Sequence, residues 1–120
     1  MQDFKQLAVW RKSHEFVLLI YQTVSCFPQN ETYNLVSQLK RASSSIAANI
    51  AEGSGRYTSR DFANFLQNAL GSSHEIEYFL LLSKDLKYLS SESFEELNCK
   101  INEIKAMLIS LIKRVRESSK

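Results

Sequence analysis

Helix breakers are scarce in this chain, and their positions limit what it can become. Among 120 residues there is one proline, Pro28, and three glycines, Gly53, Gly55 and Gly71. Between these marks apolar residues recur at spacings of three and four, the period of a helix rather than the alternation of a strand. The first stretch, about residues 7–27, carries Leu7, Trp10, His14, Val17, Tyr21 and Val24 on one stripe. Pro28 ends it, because the pyrrolidine ring pushes the preceding residue out of the α region. The second, about residues 31–51, sets Leu35, Leu39, Ala42, Ile46 and Asn49 on one face and meets its stop at Gly53. The third opens at a capping hydroxyl, Thr58 or Ser59, with Asp61 in its first turn. Its stripe is Phe62, Phe65, Ala69, Ser72, Ile76, Phe79, Ser83 and Leu86. The fourth opens near Ser91 or Ser93, with Glu95 and Glu96 early in it, and runs Phe94, Leu97, Ile101, Ile104, Leu108, Leu111 and Val115. It closes on Lys113, Arg114 and Arg116, cations suited to the negative end of a helix dipole.

Helices of about 20–30 residues are roughly 30–45 Å long. Joined by short links, four of them pack most economically as an all-α, antiparallel up-down four-helix bundle, here a single domain over residues 1–120. Size agrees. A 13.8 kDa chain is expected to keep a folded surface of about 6,600 Å² and to bury roughly two-thirds of what it exposes unfolded. That is core enough without a disulfide, a metal or a cofactor. The longest wholly apolar run, 16–21, is too short to cross a membrane. The opening residues carry no secretion signal. The expectation is a cytoplasmic protein in which Cys26 and Cys99, both opposite their helices' stripes, are free thiols.

Two features exceed a plain bundle. Small residues cluster at Ala42, Ser43, Ser44, Ser45, Ala47 and Ala48, and again at Ala69, Gly71, Ser72 and Ser73. Facing each other, they predict a closely packed hairpin of helices two and three, with Ala42 and Ala69 at similar heights. The second feature is surplus apolar surface: Phe16, Leu19 and Ile20 off the first stripe, residues 78–82 apolar right round the third helix, and Met107, Ile109 and Ile112 on the fourth. A bundle helix needs one apolar face, so the excess points to association between copies.

Catalytic patterns do not emerge. No Walker loop, Gly-x-Ser-x-Gly elbow or Cys-x-x-Cys pair occurs, and the chain does not read as an enzyme. The only histidines are His14, on the first stripe and so read as a hydrogen-bonded core or interface residue, and His74, outward beside Glu75 and Glu77. Neither has the carboxylate partners of a metal site. Two glycines within three residues can expose amides to an anion, but a helix stop and a corner explain Gly53 and Gly55 better. Asn49, Glu52, Gly53 and Gly55 are assigned to structure, with Asn49 expected to bond across helices and fix their register.

Charge is nearly balanced, at net +2, with +3 on residues 1–60 and −1 on residues 61–120. The cations expected to meet phosphates are Arg11, Lys12, Lys40, Arg41, Arg56 and Arg60, a weak basic face on one chain that gains avidity when repeated. The alternative is a scaffold that docks another protein through its apolar faces.

Several motifs together resemble one family. They are Phe4-x-x-Leu7-x-Val9-Trp10, Phe27-Pro28-x-x-Glu31-x-Tyr33-x-Leu35, Gln38-x-x-Arg41-Ala42-x-x-Ser45-Ile46-x-x-Asn49-Ile50-Ala51-Glu52-Gly53, and Phe62-x-x-Phe65-Leu66-x-x-Ala69-x-Gly71-Ser72 followed by Glu75-x-Glu77. Such proteins are encoded in intervening sequences of bacterial large-subunit ribosomal RNA genes. The accessory variability determinant of diversity-generating retroelements is related to them. The resemblance spans nearly the whole chain. It implies a four-helix bundle assembled as a homopentamer. For the retroelement relatives it implies binding of RNA or DNA and association with a reverse transcriptase. It supplies no catalytic residue and no cofactor.

Overall fold

Four helices account for most of the chain: α1 at Ala8–Val24, α2 at Leu35–Ser54, α3 at Ser59–Asp85 and α4 at Ser91–Ser118. The computed structural model describes residues 2–118. One 3-10 turn, Phe4–Gln6, precedes α1 and another, Gln29–Glu31, precedes α2, and the described residues contain no strand. Helix starts follow capping chemistry. Thr58 Oγ1 accepts from the Asp61 amide at 3.1 Å, and Ser90 Oγ accepts from the Ser93 amide at 3.0 Å. α4 thus begins at Ser91, as expected, with Ser90 supplying the capping hydroxyl. α3 is stopped without a glycine: Lys87 takes a left-handed φ of 67°, and the Tyr88 amide donates back to the Ser83 carbonyl at 2.9 Å.

Three boundaries differ from expectation. α1 ends at Val24 and the chain turns over residues 25–27, before Pro28 is reached. α2 does not begin at Glu31, whose segment is the 3-10 turn; it starts at Leu35. Nor does it stop at Gly53. It continues to Ser54, with Gly55 at the cap in a right-handed conformation. Gly53 is there because of packing. A Cβ at that position would lie 2.7 Å from Phe65 Cβ and 3.0 Å from Phe62 Cδ1. Glycine lets α3 approach where any side chain would collide.

The α2–α3 contact is the most extensive in the molecule. Arg41 meets Glu75, Ser45 meets Ser72 and Gly53 meets Phe65, so residue numbers rise on α2 as they fall on α3 and the two run in opposite directions. The close hairpin expected from the small residues is present, with Ala42, Ser43, Ala69 and Ser73 buried. The register is not the one expected: Ala42 lies at the level of Glu75, about 9 Å along the axis from Ala69 at 1.5 Å per residue. Asn49 does not cross between helices. Its amide donates within α2, to the Ser45 carbonyl at 2.8 Å and to Ser45 Oγ at 3.0 Å, and the crossing bond is made by Ser72 Oγ to the same Ser45 Oγ at 3.0 Å. α4 returns along α3, with Lys84 over Phe94, Glu77 paired to Lys105 and Ser59 beside Ser118. α1 closes the bundle against α2 and, more slightly, α4.

The core contains Phe16, Ile20, Leu39, Ile46, Leu66 and Leu108 among others. α1 therefore points inward with a different face from the one expected. Val9, Ser13, Phe16, Ile20 and Val24 are buried, while His14 and Tyr21 are exposed. Both faces of α1 have helical period, so period cannot choose between them. Ser13 disguises the inner face, because its hydroxyl is consumed by the Val9 carbonyl at 2.7 Å. Phe16, Ile20 and Ile112, counted as surplus from the sequence, are core. The true surplus is Leu18 at 58% exposed, Tyr78 at 58%, Ile109 at 54% and Leu81 at 44%. The molecule measures 48 × 23 × 20 Å. Its surface is 7129 Å², above the size-scaled expectation, as elongation requires.

Candidate nucleic-acid interface

The links decide where charge collects. The Gln2 amide donates to the Ser54 carbonyl at 2.8 Å, and Ser59 Oγ lies 3.3 Å from Ser118 Oγ. Both described termini and the α2–α3 corner therefore share one end of the bundle. Residues 2–11, 52–61 and 110–118 bring seven cations to it: Lys5, Arg11, Arg56, Arg60, Lys113, Arg114 and Arg116. The same segments carry four acids, Asp3, Glu52, Asp61 and Glu117. The opposite end, residues 22–34 and 84–97, is the reverse, with Lys84 and Lys87 against Glu31, Asp85, Glu92, Glu95 and Glu96. A chain of net charge +2 is thus polarised along its long axis.

The six cations singled out from sequence fall in different settings. Arg11, Arg56 and Arg60 belong to the basic end. Lys12 faces α4 and pairs with Glu103 at 3.1 Å. Lys40 and Arg41 sit near the start of α2, about 22 Å along the axis from Arg56 by helical rise, and point to opposite flanks. Lys40 lies 4.7 Å above the Tyr21 ring, and Arg41 bonds Glu75 Oε2 at 2.6 Å and Gln38 Oε1 at 3.0 Å. Arg56 is shared between Glu52 Oε1 at 3.2 Å and the Phe65 ring at 4.6 Å. Arg11 donates to the Lys5 carbonyl at 3.1 Å, which leaves its charge without an acid. Arg60 is exposed, with no acid, carbonyl or ring partner among the described residues. Three of the six, Lys12, Arg41 and Arg56, are already neutralised by a carboxylate.

The central glycines form no anion cradle. Gly53 is buried inside α2, and the amides of Gly55 and Arg56 donate to the carbonyls of Glu52 and Gly53 at 3.2 and 3.0 Å. Glu52 holds Arg56, so of the assigned structural residues it alone touches the basic end through its side chain. Cys26 and Cys99 are both exposed and free. No cluster of three metal-ligating side chains occurs among the described residues, and none of their helices is long and apolar enough to cross a membrane.

Sequence reasoning missed Lys5 and treated Lys113, Arg114 and Arg116 only as complements to a helix dipole. A signal was available, since four antiparallel helices return both termini and the central corner to one end.

The comparison with known proteins turns on the same helices. Residues 5–110 match the family described as 23S rRNA-intervening sequence protein. The chain belongs to that family. A crystal structure of a protein of unknown function from the S23 ribosomal protein family of Bacteroides thetaiotaomicron is similar to this member of the intervening-sequence family. The two are 34% identical, the match covers 88% of this chain and 95% of the other, and the TM-score is 0.81. No curated protein matches this chain. Within the intervening-sequence family member described here, the four-helix arrangement is shared over nearly the full length, and the charge polarity is a property of its own sequence.

Proposed function

We propose that this protein is a non-enzymatic, cytoplasmic, oligomeric nucleic-acid-binding protein that meets the phosphate backbone with the basic end of each bundle. The observation that carries the reading is the gathering of seven cations at one end, with Arg11 and Arg60 free of acids. Phosphate contacts supply most of the affinity in non-specific binding, and single contacts are weak. Repetition is what makes them useful. The exposed Leu18, Tyr78, Leu81 and Ile109 support association between copies, and the family resemblance suggests five.

A salt titration with a single-stranded oligonucleotide tests the interface. Four phosphate contacts give a slope of log affinity against log salt near −3, at about −0.7 for each. Arg11→Glu with Arg60→Glu is expected to weaken binding at least tenfold, and Lys40→Glu with Arg41→Glu by less. A flat slope, or affinity weaker than roughly 10⁻⁴ M at physiological salt, overturns the reading in favour of a protein-docking scaffold. Sedimentation tests the assembly: a single species of 13.8 kDa at micromolar concentration overturns it.

A further inference from the structure

From the edge of the core a chain of aromatic rings runs out along the outer face of α1. Phe4 presents its edge to Trp10, with ring centroids 4.8 Å apart and planes at 66°. Trp10 in turn lies flat against His14, at 5.1 Å and 5°. Spacing i, i+4 sets Trp10 and His14 one above the other on the helix surface. The inner end of this ladder is anchored, since Trp10 is half-buried and packs on the core cluster. The outer end is open: His14 is exposed, and among the described residues its imidazole makes no hydrogen bond or ion pair. Two cations flank the ladder without an acid partner, Lys5 at 5.8 Å from the Phe4 ring and Arg11 held by the Lys5 carbonyl. Two turns further along α1, Tyr21 is exposed and carries Lys40 at 4.7 Å over its ring.

His14 extends an anchored indole outward, next to positive charge without an acid partner. Flat π-faces beside cations are how sequence-tolerant sites hold unpaired bases, since every base offers a face to stack and a phosphate to pair. From this geometry we propose that the Phe4–Trp10–His14 ladder is a stacking platform for an unpaired nucleobase, with Lys5 and Arg11 meeting the adjoining phosphates, and Tyr21 with Lys40 a second station on the same track. The preferred ligand of the basic end is then single-stranded nucleic acid rather than a duplex, whose bases are already stacked. This rests on the nucleic-acid reading above and narrows it.

Trp10 is the only tryptophan, so its fluorescence reports on the platform directly. The test uses the full chain with a thymidine oligonucleotide and a duplex of equal length. The single strand is expected to quench Trp10 as it saturates and to bind more tightly than the duplex. His14→Ala is expected to lower single-strand affinity roughly 5- to 100-fold, with duplex affinity unchanged and His14→Phe restoring most of the loss. Circular dichroism confirms that these surface variants keep their helix content. Equal binding of single strand and duplex, unchanged affinity in His14→Ala or an unquenched Trp10 at saturation overturns the platform. The wider reading still stands then if Arg60→Glu weakens binding. A His14→Ala variant that sediments as a smaller species overturns the platform in favour of an interface between copies. Absence of binding to either ligand removes the platform and the nucleic-acid reading together.

Discussion

The α2–α3 hairpin and α1 are built on different principles. Between α2 and α3 the sequence supplies small residues, a glycine that a phenylalanine presses on, and polar links at Arg41–Glu75 and Ser45–Ser72. The helices approach closely and one register is enforced, because a slide by one turn would put Phe65 against a side chain. α1 instead is held by bulky side chains on one face, packs on α2 with only slight contact to α4, and is tied at each end as well. Gln2 bonds Ser54 at one end, and the Phe27 ring lies 5.4 Å from Tyr88 at the other. Backbone proximity specifies a geometry that greasy contact alone does not. The hairpin is accordingly expected to open last and α1 first, a difference that amide hydrogen exchange resolves helix by helix.

The largest effect that tests this contrast comes from one truncation made in both places. Leu66 is fully buried in α3, whereas Leu111 is half-buried where α4 borders α1. Leu66→Ala is expected to cost about 2–5 kcal/mol in urea unfolding, transfer and cavity terms together. Leu111→Ala is expected to cost about half as much, because part of its surface is already in water. Equal losses would mean that the α1–α4 seam is as well packed as the hairpin.

A smaller and more pointed effect belongs to the glycines. Gly53→Ala forces a Cβ into Phe65 and is expected to destabilise by about 1–3 kcal/mol. The gain of up to about 1 kcal/mol in helix propensity offsets only part of that. Gly71→Ala on the same hairpin meets nothing within 4 Å and is expected to stabilise by about 0.5–1 kcal/mol. Opposite signs in thermal unfolding confirm that Gly53 is required by close approach; the same sign at both positions refutes it.

How much of this was legible in the sequence depends on which helix is asked. The four helices, the cap at Thr58, the start of α4 at Ser91 and the close hairpin all follow from local rules of period, capping hydroxyls and small residues. The inward face of α1 does not. Trp10, His14, Val17 and Tyr21 make a better stripe on paper than Val9, Ser13, Phe16 and Ile20. Only the neighbouring helices decide between them, and a serine whose hydroxyl is satisfied within its own helix costs the core little. The candidate interface was half legible. Arg11, Arg56 and Arg60 were found as local charges, but Lys40 and Arg41 were grouped with them although the helical rise sets them apart. The polarity of the whole bundle emerges only after the chain has been folded back on itself. The misread stripe is informative, since Trp10 packs on the core while His14 and Tyr21 stay exposed.

A weaker contact on the α1 side is the pair Lys12–Glu103, with both side chains about half exposed. Lys12→Gln is expected to change stability by no more than about 1 kcal/mol, and less in high salt. A larger loss would show that α1 depends on this tie to α4 rather than on its buried face.

The last distinction lies at the far end of α1, where Tyr88 Oη donates to Glu31 Oε2 at 2.8 Å while its ring packs near Phe27. That hydrogen bond to Glu31, with desolvation and the nearby carboxylate charge adding to it, holds the Tyr88 phenol above the ordinary tyrosine range. The folded state therefore prefers the protonated phenol. The contribution to stability is complete below the ordinary value of about 10 and declines as pH rises from there through the raised folded value. In an ultraviolet titration Tyr88 is expected to ionise above the ordinary tyrosine range, and Glu31→Gln is expected to bring it back toward that range. If the Tyr88–Glu31 tie holds the far end of α1, the protection factors of the amides near Val24, corrected for hydroxide-catalysed intrinsic exchange, should fall above that range while those of α2 and α3 do not. A uniform loss of protection across all four helices would show that α1 opens only with the whole bundle, and the contrast between the two regions would fall.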